Sequence, residues 1–347
     1  MELIRALDRL TGRRGGADPD MRLVVLAPPN ATLPEDMPNI RFQRVGMMTG
    51  YLWDQLELPF HARNGVLVSL GNTGPILHPR HVVVLHDAST FAAPSNFSLL
   101  FRSANRVIHP VLARAAARLI TVSAFSRGEL ARYCRVPQSK FDIVPCGADH
   151  ILARESDSSV VDEHGLQPQR YVLAVGSVSP NKNLQLVLAA FRLLDRPELK
   201  LVVVGAGNPK VFADPHVARD PGVVALGYVS DAALRTLYQN ALCLAFPSLY
   251  EGFGIPPQEA MLCGCPVVVS DTPALHETCG DAALYCDPFD PGQLAARIAS
   301  IADDEPLRQR LRERGLANAS QYTWEAAAER TMNVVRAALP RPVVTPA

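Results

Sequence analysis

A chain of 347 residues, 48% apolar and 20% charged, is long enough for two domains and too apolar for a disordered polymer. Its 34 basic and 34 acidic side chains cancel to zero net charge, which argues against a nucleic-acid binder. No apolar run reaches the ~18 residues of a membrane span, the charged opening MELIRALDRL is no signal peptide, and the seven cysteines lack Cys-x-x-Cys spacing. The cysteines, including the Cys263-x-Cys265 pair, are therefore expected to be reduced, mostly buried and free of metal, in a cytoplasmic protein.

The chain opens directly on a helical pattern, with Leu3, Ile4, Leu7 and Leu10 on one face. Short Val- and Leu-rich runs then recur at 81–85 (HVVVL), 119–122 (LITV), 141–144, 171–175 (YVLAV), 201–204 (LVVV), 242–246 (LCLAF) and 266–269 (PVVV). Runs of this length and composition fit strands buried on both faces. Amphipathic stretches at 184–194, 231–240 and 293–302 lie between them, so the pattern predicts parallel sheets covered by helices. Residues 154–169 (RESDSSVVDEHGLQPQ) are polar and aperiodic, the composition of a linker. Two doubly wound α/β domains are accordingly expected at 1–152 and 165–325. A last helix at 324–338 is expected to pack back across both, and the tail 340–347 to be disordered.

The most informative stretch is 246–270, FPSLYEGFGIPPQEAMLCGCPVVVS. A buried strand ends near Pro247, and a loop with Gly252 and Gly254 follows. Pro256 and Pro257 then sit in a first helical turn, where proline is tolerated. Gly264 stops the helix, and a second buried strand begins. A strand, glycine loop and helix in this order leave backbone N–H groups and a positive helix end at a strand's carboxyl end, which suits a diphosphate. Glu251 and Glu259, eight residues apart, can flank one ligand, a carboxylate being able to accept both hydrogen bonds of a cis-diol. A tight turn with a glutamate at a helix start would account for Glu259 alone. A glycosidase acid/base pair is a further alternative, disfavoured because such carboxylates usually project from separate strand ends.

The segment resembles the Glu-x7-Glu motif of retaining glycosyltransferases with the GT-B fold, the family of sucrose synthases and bacterial mannosyltransferases. VLAVGSVSPNKNLQLVLAAF, LVVVGAG and ALGYVSDAALRTLYQNA match the same family's carboxyl-terminal domain in order, and HDASTF, LITVSAFSRGELARY and FDIVPCGAD match its first domain. The resemblance implies two doubly wound Rossmann-like domains facing each other across a cleft, the first on the acceptor side and the second binding the nucleotide-sugar. It assigns Glu259 to the donor ribose, Glu251 to the sugar ring, and the amides of Phe253, Gly254 and Ile255 to sugar and phosphate. Lys182 falls to the diphosphate, Gly176 and Ser177 to the loop beside it, and Tyr228 and Val229 to the nucleobase. Many members place an arginine beside this lysine; Ser177 and Asn181 stand at the corresponding positions here, which leaves Lys182 as the charge. His86 would reach the transferring sugar, with Asp87, Asn72 and Thr73 on the acceptor side. For His86 a satisfied core histidine, and for the loop 71–74 a plain turn, remain open. The implied catalytic groups are His86, Lys182 and Glu251, with no metal and no cofactor, because the acceptor attacks on the face the diphosphate leaves and the diphosphate takes its proton. Gly205-x-Gly207 lacks the third glycine of a dinucleotide fingerprint, so NAD binding is rejected.

HDASTF and VSPNKN are most similar to mannosyltransferase-like members, which makes GDP-mannose the expected donor and a glycan or polyprenyl-diphosphate-linked glycan the expected acceptor. From 88 to 128 no acidic residue occurs, while Arg102, Arg106, Arg114, Arg118 and Arg127 accompany Phe97, Leu99, Leu100 and Phe101. Such interleaving suits an anionic membrane surface or a lipid diphosphate acceptor at 97–127, hence a peripheral position at the inner face of the cell membrane; an ordinary helix pair broken near Pro110, with its arginines solvated, remains open. The family's first domain starts with a strand and glycine loop ahead of a helix resembling residues 2–10. Here that strand is absent, so the expectation is a start lying upstream. A catalytically silent nucleotide-sugar binder and a GT-B-fold epimerase stand as alternatives.

Overall fold

The structure, a computed structural model, describes residues 1–13, 21–34, 36–176, 179–205 and 221–339. The chain divides into two compact units, one made of residues 1–91, 98–145 and 324–339, the other of 92–97 and 146–323.

The first unit carries strands β1 (Val24–Ala27) and β2 (Arg41–Arg44), paired parallel in a small sheet of their own. A four-stranded parallel sheet follows in the order β3 (Leu67–Ser69), β4 (His81–Val84), β5 (Arg118–Thr121) and β6 (Phe141–Ile143). Alternate residues of β4 serve opposite faces. Val83 packs with Leu112, Leu119 and Leu130, whereas Val82 and Val84 pack with Ile120, Ala327 and Val334. The opening helix Glu2–Arg13 buries Ala6 and Leu10 against Ala328 and Met332 of the last helix, Trp324–Ala337. The last helix thus groups with the first unit. β1 and β2 escape the sequence reading because β2 is RFQR, with both arginines exposed and no Val-rich run to mark it.

Among the described residues the second unit has six strands, all parallel. They are β7 (Tyr171–Val175), β8 (Lys200–Val204), β9 (Val223–Gly227), β10 (Cys243–Phe246), β11 (Val267–Ser270) and β12 (Ala283–Cys286). Their spatial order is β12-β11-β10-β7-β8-β9, the 3-2-1-4-5-6 order of dinucleotide-binding folds read from the far edge. Tyr171, Leu173, Leu244, Phe246, Val267 and Val269 build the core on one face, and Val172, Ala174, Cys243, Ala245 and Val268 on the other. Both faces being covered is why these strands read as unbroken apolar runs. The unit begins at Cys146 rather than near 165. Residues 154–169 are more than a linker, since they contain a short helix, Ser159–Glu163, and bury Val160, Val161 and Leu166 in the core. Three apolar residues in one helical turn and its exit are too few to show a period.

Three histidines of the first unit, His78, His81 and His109, are buried away from water. His81 has its Nε2 2.9 Å from Ser69 Oγ, and burial, reinforced by the neighbouring His78, pushes its pKa down to about 4. His109 is likewise depressed by burial. Both are neutral when folded, whereas an unfolded histidine takes a proton near 6.5. Stability is therefore fully present above about pH 6.5 and is lost as pH falls toward 4. The expected loss from His81 alone between pH 7.5 and 5 is about 2 kcal/mol. Both tryptophans, Trp53 and Trp324, lie in this unit, so urea unfolding followed by tryptophan fluorescence reports on it. His81→Asn should flatten the pH slope; an unchanged slope would refute the assignment.

Candidate active site

The strand order reverses between β7 and β10, and the loops leaving the carboxyl ends of these two strands form the site. After β7, Gly176 (φ +157°) leads to a single turn, Pro180–Lys182, closed by Asn183 in the left-handed region at φ +57°. After β10 comes 247–254. The two loops are stitched together. Asn183 Nδ2 donates to the carbonyls of Pro247 (3.1 Å) and Pro288 (2.7 Å), Asn181 Nδ2 to that of Tyr250 (3.2 Å), and Leu249 N to that of Asn181 (2.7 Å).

These bonds bring Lys182 and Glu251 into contact, Nζ to Oε1 at 2.5 Å. Ser248 Oγ donates to the same carboxylate oxygen at 2.5 Å. The lysine ammonium also stands 5.0 Å from the centre of the Phe246 ring, a favourable cation–π placement. Both charged side chains are mostly buried yet keep some access to solvent.

Gly254 takes φ +87° ahead of the helix Ile255–Leu262, whose start no side chain caps and whose first turn holds Pro256 and Pro257. A Cβ at Gly254 would meet Leu275 Cδ2 at 2.7 Å, so glycine is required there for space as well as for conformation. Phe253 is buried, its carbonyl accepting from Thr278 Oγ1 at 2.8 Å. The helix ends at Leu262, with Gly264 left-handed at φ +72°. Glu259 is only 7% exposed. Its Oε1 lies 3.0 Å from His150 Nε2, and its Oε2 accepts from Tyr238 Oη at 3.1 Å. The Tyr238 phenol is held well above its usual range, first by burial and then by the Glu259 charge, and so remains a donor.

Gly176, Lys182, Glu251, Phe253, Gly254, Ile255 and Glu259 thus all lie on β7, β10 or the loops and helix that follow them. Tyr228 and Val229 follow β9. Tyr228 is 85% exposed, while Val229 packs on the core. Ser177 and Gly207 lie outside the described residues. In the first unit, His86 ends β4's run with its main-chain N–H on Asn72 Oδ1 (2.7 Å) and its Nε2 donating to the Leu70 carbonyl (2.9 Å). A carbonyl can only accept, so Nε2 carries the hydrogen and Nδ1 is the nitrogen left for a ligand. Asn72 is left-handed at φ +61°, Asp87 Oδ1 accepts from Ser89 N at 2.7 Å, and Thr73 is half-buried beside Asn72. Sequence reasoning missed Ser248, His150 and Tyr238, the groups that hold the two glutamates. Ser248 stood inside the motif; His150 and Tyr238 carry no local signal, because only the folded chain brings them to Glu259.

Residues 160–317 match the family model described as "Glycosyl transferases group 1". The O-antigen chain mannosyltransferase B of Escherichia coli is 33% identical over 271 residues, 74% of this chain and 70% of that one. The chain belongs to the group 1 glycosyltransferases. The D-inositol 3-phosphate glycosyltransferase of Segniliparus rotundus is 30% identical over 78% of this chain and 64% of its own length. Among solved structures, sucrose-phosphate synthase from Thermosynechococcus elongatus superposes with a TM-score of 0.75 at 19% identity, covering 96% of this chain and 92% of that one. The Anabaena protein HepE, solved with UDP and glucose, gives 0.74 at 19% identity over 96% and 95%. These likenesses establish the GT-B fold of this glycosyltransferase.

Proposed function

We propose that this glycosyltransferase moves mannose from GDP-mannose, with retention of the anomeric configuration, to a glycan or polyprenyl-diphosphate-linked glycan. The observation that carries the reading is the Lys182–Glu251 contact at the switch point of the second unit, with Glu259 buried in the following helix. In this reading Glu259 binds the ribose, Glu251 the sugar ring, and the amides of 253–255 the sugar and β-phosphate. Gly176 and Ser177 border the phosphates, and Tyr228 and Val229 the base. Lys182 neutralises the charge that grows on the leaving diphosphate. The bond from the sugar's anomeric carbon to the diphosphate breaks, the acceptor oxygen bonds to that carbon on the same face, and the diphosphate oxygen takes the acceptor proton. His86 Nδ1, with Asp87, Asn72 and Thr73, orients the sugar and acceptor. The reaction draws on no metal and no cofactor. The mannosyltransferase relative in Escherichia coli supports the choice of sugar.

The test is the thermal midpoint of the protein with GDP, UDP, ADP and their sugars. A ligand at ~100 times its Kd adds about 2.7 kcal/mol, a rise of a few degrees. GDP and GDP-mannose are expected to stabilise the wild type, and Glu259→Ala to lose the response. No shift with any nucleotide would overturn the donor site.

Among the described residues no helix is long and apolar enough to cross a membrane. We place the protein in the cytoplasm, peripherally on the inner face of the membrane. The helix Leu99–Ala115 exposes Leu100, Val107 and Val111 at helical spacing, with Arg106 and Arg114 exposed beside them. Arg118 is withdrawn from this set by its bidentate bond to Asp142. Sedimentation with anionic but not neutral vesicles is expected, with Arg106→Glu weakening it. Equal binding to both vesicle types, or none, would refute the surface.

A further inference from the structure

Glu259 is a buried carboxylate held by two donors from different elements. Tyr238 comes from the helix Asp231–Asn240. His150 comes from a single turn, Asp149–Leu152, that packs against the helices Asp231–Asn240 and Ile255–Leu262. That turn is itself anchored. Ala148 N donates to the Tyr322 carbonyl at 3.0 Å, and Arg235 donates to the carbonyls of Leu152 and Arg154 at 3.1 and 2.6 Å.

His150 Nε2 stands 3.0 Å from Glu259 Oε1, within ion-pair distance, and a carboxylate offers only lone pairs to it. Each carboxylate oxygen thus faces one protein group, His150 Nε2 at 3.0 Å from Oε1 and Tyr238 Oη donating to Oε2 at 3.1 Å, and keeps a lone pair for a ligand. Two acceptors on one planar group match the two O–H donors of a cis-diol. The last torsion of a glutamate is broad, so the carboxylate plane is not set by the side chain's own preference. One donor fixes one oxygen and leaves the plane free to turn; the second removes that freedom.

We propose that His150, together with Tyr238, is a positioning residue that orients the Glu259 carboxylate to take both hydroxyls of the donor's ribose. The proposal rests on the assignment of Glu259 to the ribose. His150 touches neither sugar nor phosphate, and its effect is confined to the part of the binding energy that comes from the diol.

The experiment compares, by calorimetry, the affinities of GDP, UDP and ADP with those of their 2′,3′-dideoxy counterparts. The wild type is expected to prefer the ribose form. In His150→Ala the preference should fall about tenfold, the loss of one charge-assisted hydrogen bond's worth of orientation, while the dideoxy affinity stays as in the wild type. His150→Gln, which retains an N–H donor, should regain much of the preference. His150→Asn, polar but too short to reach Glu259, should behave as the alanine variant and serves in its place if that variant does not fold. A preference that survives both His150→Ala and His150→Asn, or equal losses for ribose and dideoxy forms, would overturn the proposal. Failure of the underlying assignment looks different: the wild type would show no preference, or Glu259→Ala would keep it.

Discussion

Replacing Lys182 with alanine is expected to lower turnover about 100-fold, the usual cost of removing one preorganised transition-state donor. Charge on the β-phosphate is greatest as the diphosphate departs, so kcat should fall more than donor affinity. Asn181, next to Lys182, gives its amide to the Tyr250 carbonyl and brings no charge. Ser248 remains on the Glu251 oxygen in the variant, so the loop is expected to keep its shape. Lys182→Arg should recover only part of the activity, because the guanidinium is a planar fork rather than a point charge. The measurement is steady-state release of GDP from GDP-mannose, alongside the thermal midpoint of the free protein. Unchanged kcat in Lys182→Ala would remove the lysine from the mechanism.

The second large effect is structural. Gly205 follows β8 directly at φ +138°, and a Cβ there would stand 1.9 Å from the main-chain oxygen of Gly176. Neither partner has room to yield. Gly176 N donates to the Val204 carbonyl at 3.0 Å, and Gly205 N to that of Gly227 at 2.8 Å. Gly205→Ala is therefore expected to destabilise the second unit by at least about 3 kcal/mol, through backbone strain and displaced strand ends. Gly176 also underlies Lys182, whose Cγ and Cδ are the nearest atoms a Cβ at Gly176 would meet, so nucleotide-induced stabilisation should be lost together with stability. Scanning calorimetry reads the second unit, while the tryptophan transition of the first should stay where it is. A wild-type melting profile for Gly205→Ala would contradict this packing.

The Gly205-x-Gly207 pair shows how far sequence reading reached. The missing third glycine argued against a dinucleotide loop, but the reason for Gly205 is tertiary: the Gly176 carbonyl, just beyond the neighbouring strand, occupies the place of its side chain. β7, β8, β10 and β11 were legible because each is buried on both faces, whereas β9 and β12, only partly buried, were not read. The glycine loop and helix at 251–264 were legible because proline and glycine mark backbone conformation directly. β2 was illegible because its arginines face outward, and the short helix Ser159–Glu163 because three apolar residues make no period. Glu251 and Glu259 could be nominated from spacing. Their supports could not, because Ser248 acts by a bond peculiar to the loop's fold, and His150 and Tyr238 reach Glu259 from other elements.

The way the last helix closes the first unit bears on how the chain is made. The helix Glu2–Arg13 is translated ahead of 146–323, but the surface that covers Ala6 and Leu10 is Ala328 and Met332, translated after the whole of it. Domains fold largely as units during synthesis, and the second unit, continuous apart from 92–97, is complete before the first can be finished. During that interval the apolar faces of the opening helix, and of β4 at Val82 and Val84, lack their cover. The first unit is thus completed after the second, and a chain stopped short of residue 324 would lack the surface that covers Ala6 and Leu10.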